Sequence, residues 1–578
     1  MERQTCWGAA WGRSCFTLCA VILTASLAFA GSPKMSKELE GKDSSDQVDV
    51  IVQFNQAPTA KHHQKVTSKG GNLKQELGLV KSGAYSLPAG ALDDLANDPD
   101  VAYISPDRPV MGSGYSDGFV AVNADVARSY GYTGQGIGVA VIDSGIYGSH
   151  PDISGHVVYS QDFTGEGTTS DKYGHGTHVA GIIGGDGTDS ACSNCFRTYK
   201  GIAENTKLIN LRVLNSLGFG TDSNVIAAIQ KAISLKSTYN IRIINLSLGR
   251  GIFESYKTDP LTQAVEQAWK AGILVVVASG NYGRDNSHNN NGYATITSPG
   301  NDPYVITVGA MRTMDTQTRS DDAIASYSSK GPSLLDHVVK PDLVAPGNLV
   351  SSTLAPNSLL YNLYSFTWLP LSAYKNGNSS TTSADYFTLS GTSMAAPMVS
   401  GAAALMFEKK PSLTPDQVKA RLMKTAFKNL PLYTTATDPV TGITYNEQAD
   451  IFTVGAGYLD IDAALNNTDS APSAVGVAMS PTVSYNATTG QVALVNGSSV
   501  LWGSSVMWGT SVVWGTSVIW GTNATGQSVL WGSSVAWGSS TNSGFSVIWG
   551  SSTAPMSVLW GTSNTWAYAS SALVNGDK

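Results

Sequence analysis

Two kinds of apolar pattern divide the chain. Residues 48–54 (VDVIVQF) alternate apolar and polar side chains as a half-buried strand does, and residues 60–77 are spaced for a helix. Residues 83–87 and 101–104 read as strands on either side of a helical patch, ALDDLAND. Together they predict a small α+β unit of roughly 60 residues, near the lower size at which a single core stabilises a domain. It closes where Pro106, Pro109, Gly112, Gly114 and Gly118 crowd together, which predicts a hinge.

From about Gly131 the pattern changes. Nearly unbroken apolar runs occupy 137–143 (IGVAVID), 208–214 (LINLRVL), 241–249 (IRIINLSLG), 273–280 (ILVVVASG) and 304–310 (YVITVGA). Between them lie a helix capped by Asp222 or Ser223, carrying Val225, Ile226, Ile229 and Ile233, and a second helix over 261–271. Strands apolar at every position are buried on both faces, so the expected fold class is α/β, a mostly parallel sheet covered by helices. Ligands of such sheets bind beyond the carboxyl ends of the strands.

Composition sharpens this picture at three points. Of 578 residues only 14% are charged, and none between Asp469 and Asp577. The net charge of -7 leaves no basic surplus to neutralise phosphates, which argues against nucleic acid as a principal partner. Arg3 and Arg13 precede an apolar run over 16–29 that ends in Ala28 and Ala30, the pattern of a secretory signal cut before Gly31. An N-terminal membrane anchor is the alternative, although the run is short of the roughly 20 residues of a span. With that segment removed, Cys192 and Cys195 alone remain of five cysteines, and C-S-N-C in a loop reads as a short-range disulfide. A zinc site would need a second ligand pair.

The chemistry sits at strand ends and glycine turns. Asp143 ends AVID, His175 lies in YGHGTHVAGI with His178 as a competing candidate, and Ser393 opens an Ala-rich helix in SGTSMAAP. Each alone reads as a turn or cap. Together they supply a nucleophile, a base for its proton and a carboxylate to fix the base's tautomer. Asn281, ending VVVASGN, adds a side-chain donor for a developing oxyanion beside the Ser393 N–H.

These motifs, AVIDSGI, GHGTHVAGI, NLSLG, ASGN and GTSMAAP in that order, resemble the subtilisin-like serine proteases, the subtilases, over roughly residues 118–466. The resemblance implies a secreted serine endopeptidase acting on proteins or peptides through an acyl-enzyme. In it Asp143 supports the imidazolium, His175 is general base then acid, Ser393 is the nucleophile and Asn281 stabilises the tetrahedral intermediate. It makes Ser247, Leu248 and Gly249 the edge that pairs with an extended substrate. It makes Ala278, Ser279 and Gly280 a wall of the first specificity pocket, with Thr297 near its floor. A Thr there narrows a pocket otherwise expected to take medium to large apolar side chains. No cofactor is implied for the chemistry. Structural calcium is common in the family, and Asp152 of HPDI matches one ligand position.

Three features depart from the family pattern. Met398 stands where a His is common after SMAAP, the loop over 184–200 is longer, and an insertion over 355–388 precedes the nucleophile as a lid, a substrate rim or a plain surface loop. The early unit resembles the family's pro-region through VIVQF and LANDPDVAYISPD, which implies an intramolecular inhibitor cut away between Pro106 and Gly118. Without the resemblance it is an ordinary accessory domain. The resulting plan is a signal over 1–30, a pro-region over 31–112 with its core at 48–107, a catalytic domain of subtilisin-like three-layer form over 113–466, a linker over 467–499 and a tail over 500–578.

The tail repeats S-V-x-W-G-S/T with tryptophans at 502, 508, 514, 520, 531, 537, 549 and 560. An even period of six puts Val500, Trp502, Val506 and Trp508 on one side of an extended strand. Stacked short strands, a flexible appendage, glycan or cell-surface attachment and self-association are all compatible with that pattern. The rival to the protease reading is therefore a surface adhesion or glycan-binding protein whose functional part is this array.

Overall fold

The computed structural model describes residues 32–107, 109–112, 119, 121–287, 290–314, 316, 318–376, 381–469, 471, 473–486, 491–495, strand segments within 506–531, and 571–577. The expected signal over 1–30, residues 113–118 of the expected maturation region and most of the Trp-Gly array lie outside them. Within the array, Val506–Met507 pairs with Val513–Trp514 and Val518–Thr522 with Ser528–Trp531, both antiparallel.

Two units divide the chain, one comprising residues up to Glu76 with Lys81–Pro106, the other Leu77–Val80 with everything from Asp107. The first is a four-stranded sheet in the order Asn72–Leu77, Ser82–Pro88, Gln47–Phe54, Val101–Pro106. Helices Ala60–Thr67 and Leu92–Ala96 contribute Val66, Leu92 and Leu95 to a core with Val50, Val52, Tyr85 and Ile104. The helix expected over 60–77 stops at Thr67. Gly70, at φ +84°, and Gly71 turn the chain, and the polar run NLKQEL becomes an edge strand instead.

The second unit is built on an eight-stranded sheet. Its main path runs Ala323–Ile324, Ile306–Arg312, Leu274–Ala278, Ile241–Leu246, Gly138–Asp143, Lys207–Arg212, Val157–Asp162, with Leu343–Pro346 also paired to Ile306–Arg312. Every pairing is parallel except that of the two-residue Ala323–Ile324. Helices Asp222–Tyr239, Pro260–Lys270, His175–Gly184 and Thr392–Lys409 accompany it. Met398 is buried in the last of these.

Four local expectations change. Thr221, not Asp222 or Ser223, caps the helix Asp222–Tyr239, accepting from Asn224 N, because Asp222 is taken by the buried Arg250 at 2.8 Å. The run 241–249 breaks at Ser247, and Leu248–Gly249 leaves the main sheet. The expected hinge contains a strand, Pro109–Gly112, held between Leu248–Gly249 and Phe219–Thr221. The segment assigned as a linker is packed at its start: Val339 N donates to Pro481 O and Val483 N to His337 O.

The helix Thr392–Lys409 approaches its neighbours closely. A Cβ on Gly401 would lie 2.4 Å from Ile202 Cβ. Gly→Ala in a helix ordinarily gains about 1 kcal/mol. Here Gly401→Ala is expected to lose about 1–3 kcal/mol through overpacking against buried Ile202. Thermal melting checks the sign, and a raised Tm would show that the helix has room to move.

Candidate active site

The strand Gly138–Asp143 delivers Asp143 to the carboxyl edge of the sheet, next to the start of helix His175–Gly184. Asp143 Oδ1 accepts from His175 Nδ1 at 2.7 Å and from Ser144 N at 2.7 Å, with both residues buried. A carboxylate only accepts, so the bond places the proton on Nδ1 and leaves Nε2 as the basic nitrogen. Gly176 is required beside this pair, since a Cβ there would be 2.2 Å from Gly145 O and 3.1 Å from Asp143 Cβ.

Asp171, which the sequence reading passed over, organises the loop before the imidazole. Its Oδ1 accepts from Ser144 Oγ, Tyr173 N and Gly174 N, its Oδ2 from Thr177 N and Oγ1. Burial pushes this carboxyl above its ordinary pKa despite those donors. His178 does not face the same site. Its Nε2 donates to Val350 O at 2.8 Å, its ring packs edge-on against Phe387, and burial pushes it down to about 3.

Ser393 begins helix Thr392–Lys409, where Gly391 at φ +153° makes the turn. Its Oγ donates to Ser247 O at 3.1 Å. Pro397, one turn on, has no N–H for the Ser393 carbonyl, and the Ser247 hydroxyl fills that vacancy at 2.7 Å. Ser247 Oγ in turn accepts from Asn245 Nδ2, whose Oδ1 accepts from Ser400 Oγ. The turn that carries Ser393 is thereby tied to the edge Ser247–Gly249. Asn245 and Ser400 were missed because only this fold brings them together.

Asn281 follows the strand Leu274–Ala278, and its Oδ1 accepts from Thr392 N and Oγ1, both at 3.0 Å. With the oxygen so held, the NH2 is the amide's remaining polar group, a donor. Thr392 Oγ1 also accepts from Gly280 N at 3.1 Å. Thr297 is buried between Gly280 of the expected pocket wall and Gly249 of the expected substrate edge. A Cβ on Gly280 would lie 2.7 Å from its Cγ2, and one on Gly249 2.6 Å from its Oγ1.

The edge Leu248–Gly249 is occupied by the chain itself. Leu248 opposes Gly112 and Gly249 opposes Met111 in antiparallel register, while Met111, Val110 and Pro109 pair on their other side with Phe219–Thr221. Asp107 fixes the approach, accepting from Ser223 N and Oγ at the start of helix Asp222–Tyr239.

Calcium at Asp152 does not fit the groups present. Its Oδ1 accepts from Asp189 N and its Oδ2 from Tyr386 OH, and burial raises its pKa. Among the described residues no three His, Cys, Asp or Glu side chains converge as a metal cage. The disulfide Cys192–Cys195 is formed.

Comparison with known proteins identifies relatives of this arrangement. The model of the subtilase family matches residues 134–457. Serine protease AprX of Bacillus subtilis (strain 168) is 40% identical over 296 residues, covering 50% of this chain and 61% of AprX. Subtilisin E of the same organism is 33% identical over 417 residues, covering 71% of this chain and 92% of its own. Among solved structures, fervidolysin from Fervidobacterium pennivorans, a keratinolytic enzyme related to subtilisin, superposes with a TM-score of 0.56 at 20% identity, over 76% of this chain and 63% of its own. That last likeness concerns the fold.

His178 gives the site's surroundings a pH signature. Neutral when folded and titrating near 6.5 when unfolded, it makes the unfolded chain bind the extra proton between pH 6.5 and about 3, so stability falls as pH drops through that window. The loss from this group at pH 5 is about 2 kcal/mol. His178→Gln is expected to be less stable at pH 8 yet to lose stability less steeply between pH 6.5 and 4. Equal slopes in denaturant titrations would assign the acid loss to other groups.

Proposed function

The chain belongs to the subtilase family and is a serine endopeptidase, and from that premise we propose that it is secreted as a precursor whose own Ser393 releases it from the segment ending near residue 113. The observation that carries this is the strand Pro109–Gly112, paired on both sides as an extended substrate would be, with backbone hydrogen bonds indifferent to side chains. Gly112 opposes Leu248, the neighbour of Ser247, whose carbonyl accepts from the Ser393 hydroxyl. The proposed cut follows residue 113, the next in the chain.

In the proposed chemistry His175 Nε2 takes the Ser393 proton as Oγ attacks the carbonyl carbon. The imidazolium so formed is held by Asp143. Negative charge on the carbonyl oxygen is met by Asn281 Nδ2 and the Ser393 N–H. His175 returns the proton to the leaving amine, giving an acyl-enzyme, and repeats the cycle with water. No cofactor enters these steps. Loss of an oxyanion donor such as Asn281 lowers kcat by about 100- to 1000-fold, a magnitude known from subtilisin itself rather than obtained from this chain.

Export is supported by the 1–30 pattern and the Cys192–Cys195 disulfide. Among the described residues no helix is long and apolar enough to cross a membrane. The close seat of Thr297 against Gly249 and Gly280 favours small side chains before the cut, and residue 113 is itself Ser.

Intact mass tests the maturation step. Wild type is expected to shed the segment ending at 113 and Ser393→Ala to keep it; a precursor cut equally in both proteins would mean a foreign protease. The pocket is tested by Thr297→Gly, which should raise kcat/KM for Phe before the cut relative to Ala by about 10-fold or more. An unchanged ratio would place the pocket floor elsewhere.

A further inference from the structure

Beyond the repeat array, residues 571–577 return to the unit that carries Ser393. Ala572, Leu573 and Val574 are buried, and Asp577 is 1% exposed. Asp577 Oδ1 accepts from Arg284 Nη2 at 2.8 Å and Ser326 Oγ at 2.6 Å, and Oδ2 from Ser326 N at 2.7 Å. Its N–H donates to Asn348 Oδ1 at 2.7 Å, and its carbonyl accepts from Asn348 Nδ2 at 3.2 Å. Gly576 takes φ +60°, and a Cβ there would lie 2.4 Å from Ser390 Oγ. Its carbonyl accepts from Arg284 Nη2 at 3.2 Å.

The two sides of this socket lead to the two halves of the oxyanion site. Arg284 lies three residues past Asn281, in a loop pinned by Tyr282 N to Ser329 Oγ and Gly283 N to Tyr327 O. Asn348 follows Gly347, whose carbonyl accepts from Gly391 N at 2.6 Å and from Tyr327 OH at 2.7 Å. Leu349 N donates to Ser390 Oγ at 3.1 Å. Ser390 and Gly391 make the turn into Ser393. One residue distant in sequence therefore bridges the Asn281 loop and the Ser393 turn: the Asp577 carboxylate holds Arg284 and Ser326, and its backbone N–H and carbonyl hold Asn348.

We propose that Asp577 is a positioning residue for the proteolytic reaction: residues 572–577 form an intramolecular clasp that holds the Asn281 loop and the Ser393 turn in register. The inference rests on the roles proposed for Asn281 and Ser393. The residues before the array, Ser480, Pro481 and Val483, are held to the same unit as 572–577. Misplacing groups of this kind by about 1 Å costs up to about 100-fold in rate without touching the substrate.

The test uses the full chain and its Asp577→Ala and Asp577→Asn variants, assayed on a peptide amide at a temperature where all are folded by circular dichroism. Asp577→Ala is expected to lower kcat by about 10- to 100-fold with KM within about twofold. Asp577→Asn, which keeps an acceptor for Ser326 N, should recover part of the loss, and a synthetic peptide of residues 571–577 added to the Ala variant should restore rate. A lowered Tm with unchanged kcat overturns the proposal and leaves only a structural contact. A second measurement does not depend on activity. In a Ser393→Ala background, Asp577→Ala should speed amide hydrogen exchange in 281–284 and 390–393, and unchanged exchange there overturns the clasp even if the wild type cleaves nothing. A wild type that is inactive while the exchange effect appears would instead sink the roles assigned to the triad.

Discussion

The buried hydrogen bond between His175 Nδ1 and Asp143 Oδ1 is the constraint on which the site depends. A serine hydroxyl is a poor nucleophile unless a neutral imidazole nitrogen faces it, and only a fixed acceptor on the other nitrogen guarantees that tautomer. Holding a buried carboxylate there takes a backbone donor and a rigid edge. Ser144 N and the parallel strand Gly138–Asp143, paired on both sides, provide them. The Asp171 cluster does the same for the imidazole, converting a glycine-rich loop into a fixed helix start.

The elements legible in the sequence are those whose local pattern and tertiary setting agree. The strands at 138–143, 207–212, 241–246, 274–278 and 306–312 are buried along nearly all of both faces and mostly apolar, so their existence could be read directly. Val157–Asp162 was not, because it is an edge strand with a polar, half-exposed sequence. Asn72–Leu77 shows the same ambiguity, and its charged side chains read as the end of a helix. Asp143, His175, Ser393 and Asn281 stood out because motif glycines accompany them. Asp171, Asn245, Ser400 and Asp577 had no such marker, since each acts through a partner distant in sequence.

The Pro109–Gly112 strand shows tertiary partners overriding a local turn signal. Proline and glycine mark a break only where no partner is available. Between the free edges at Leu248–Gly249 and Phe219–Thr221 the same residues find backbone partners on both sides, and a segment expected to bend becomes extended.

The long loop over 184–200 and the insertion over 355–388, which looked independent in the sequence, are a single feature. Phe196 N donates to Tyr374 O, Asn376 N to Asn194 O, and Tyr199, Tyr374 and Tyr386 pack ring against ring. The Cys192–Cys195 disulfide closes the turn from which this pairing starts. Tyr386 then reaches Asp152 and Ser190, placing a neutral hydroxyl on a buried carboxyl where the family pattern suggests a cation. At its other end the insertion donates Leu359 N to Lys172 O and Leu360 N to Tyr173 O, bracing the loop that leads into His175. A hydrogen-bonded aromatic cluster surrounds Asp152, and the insertion that supplies Tyr374 and Tyr386 also braces the loop that leads into His175. The two departures from the minimal pattern therefore stand or fall together.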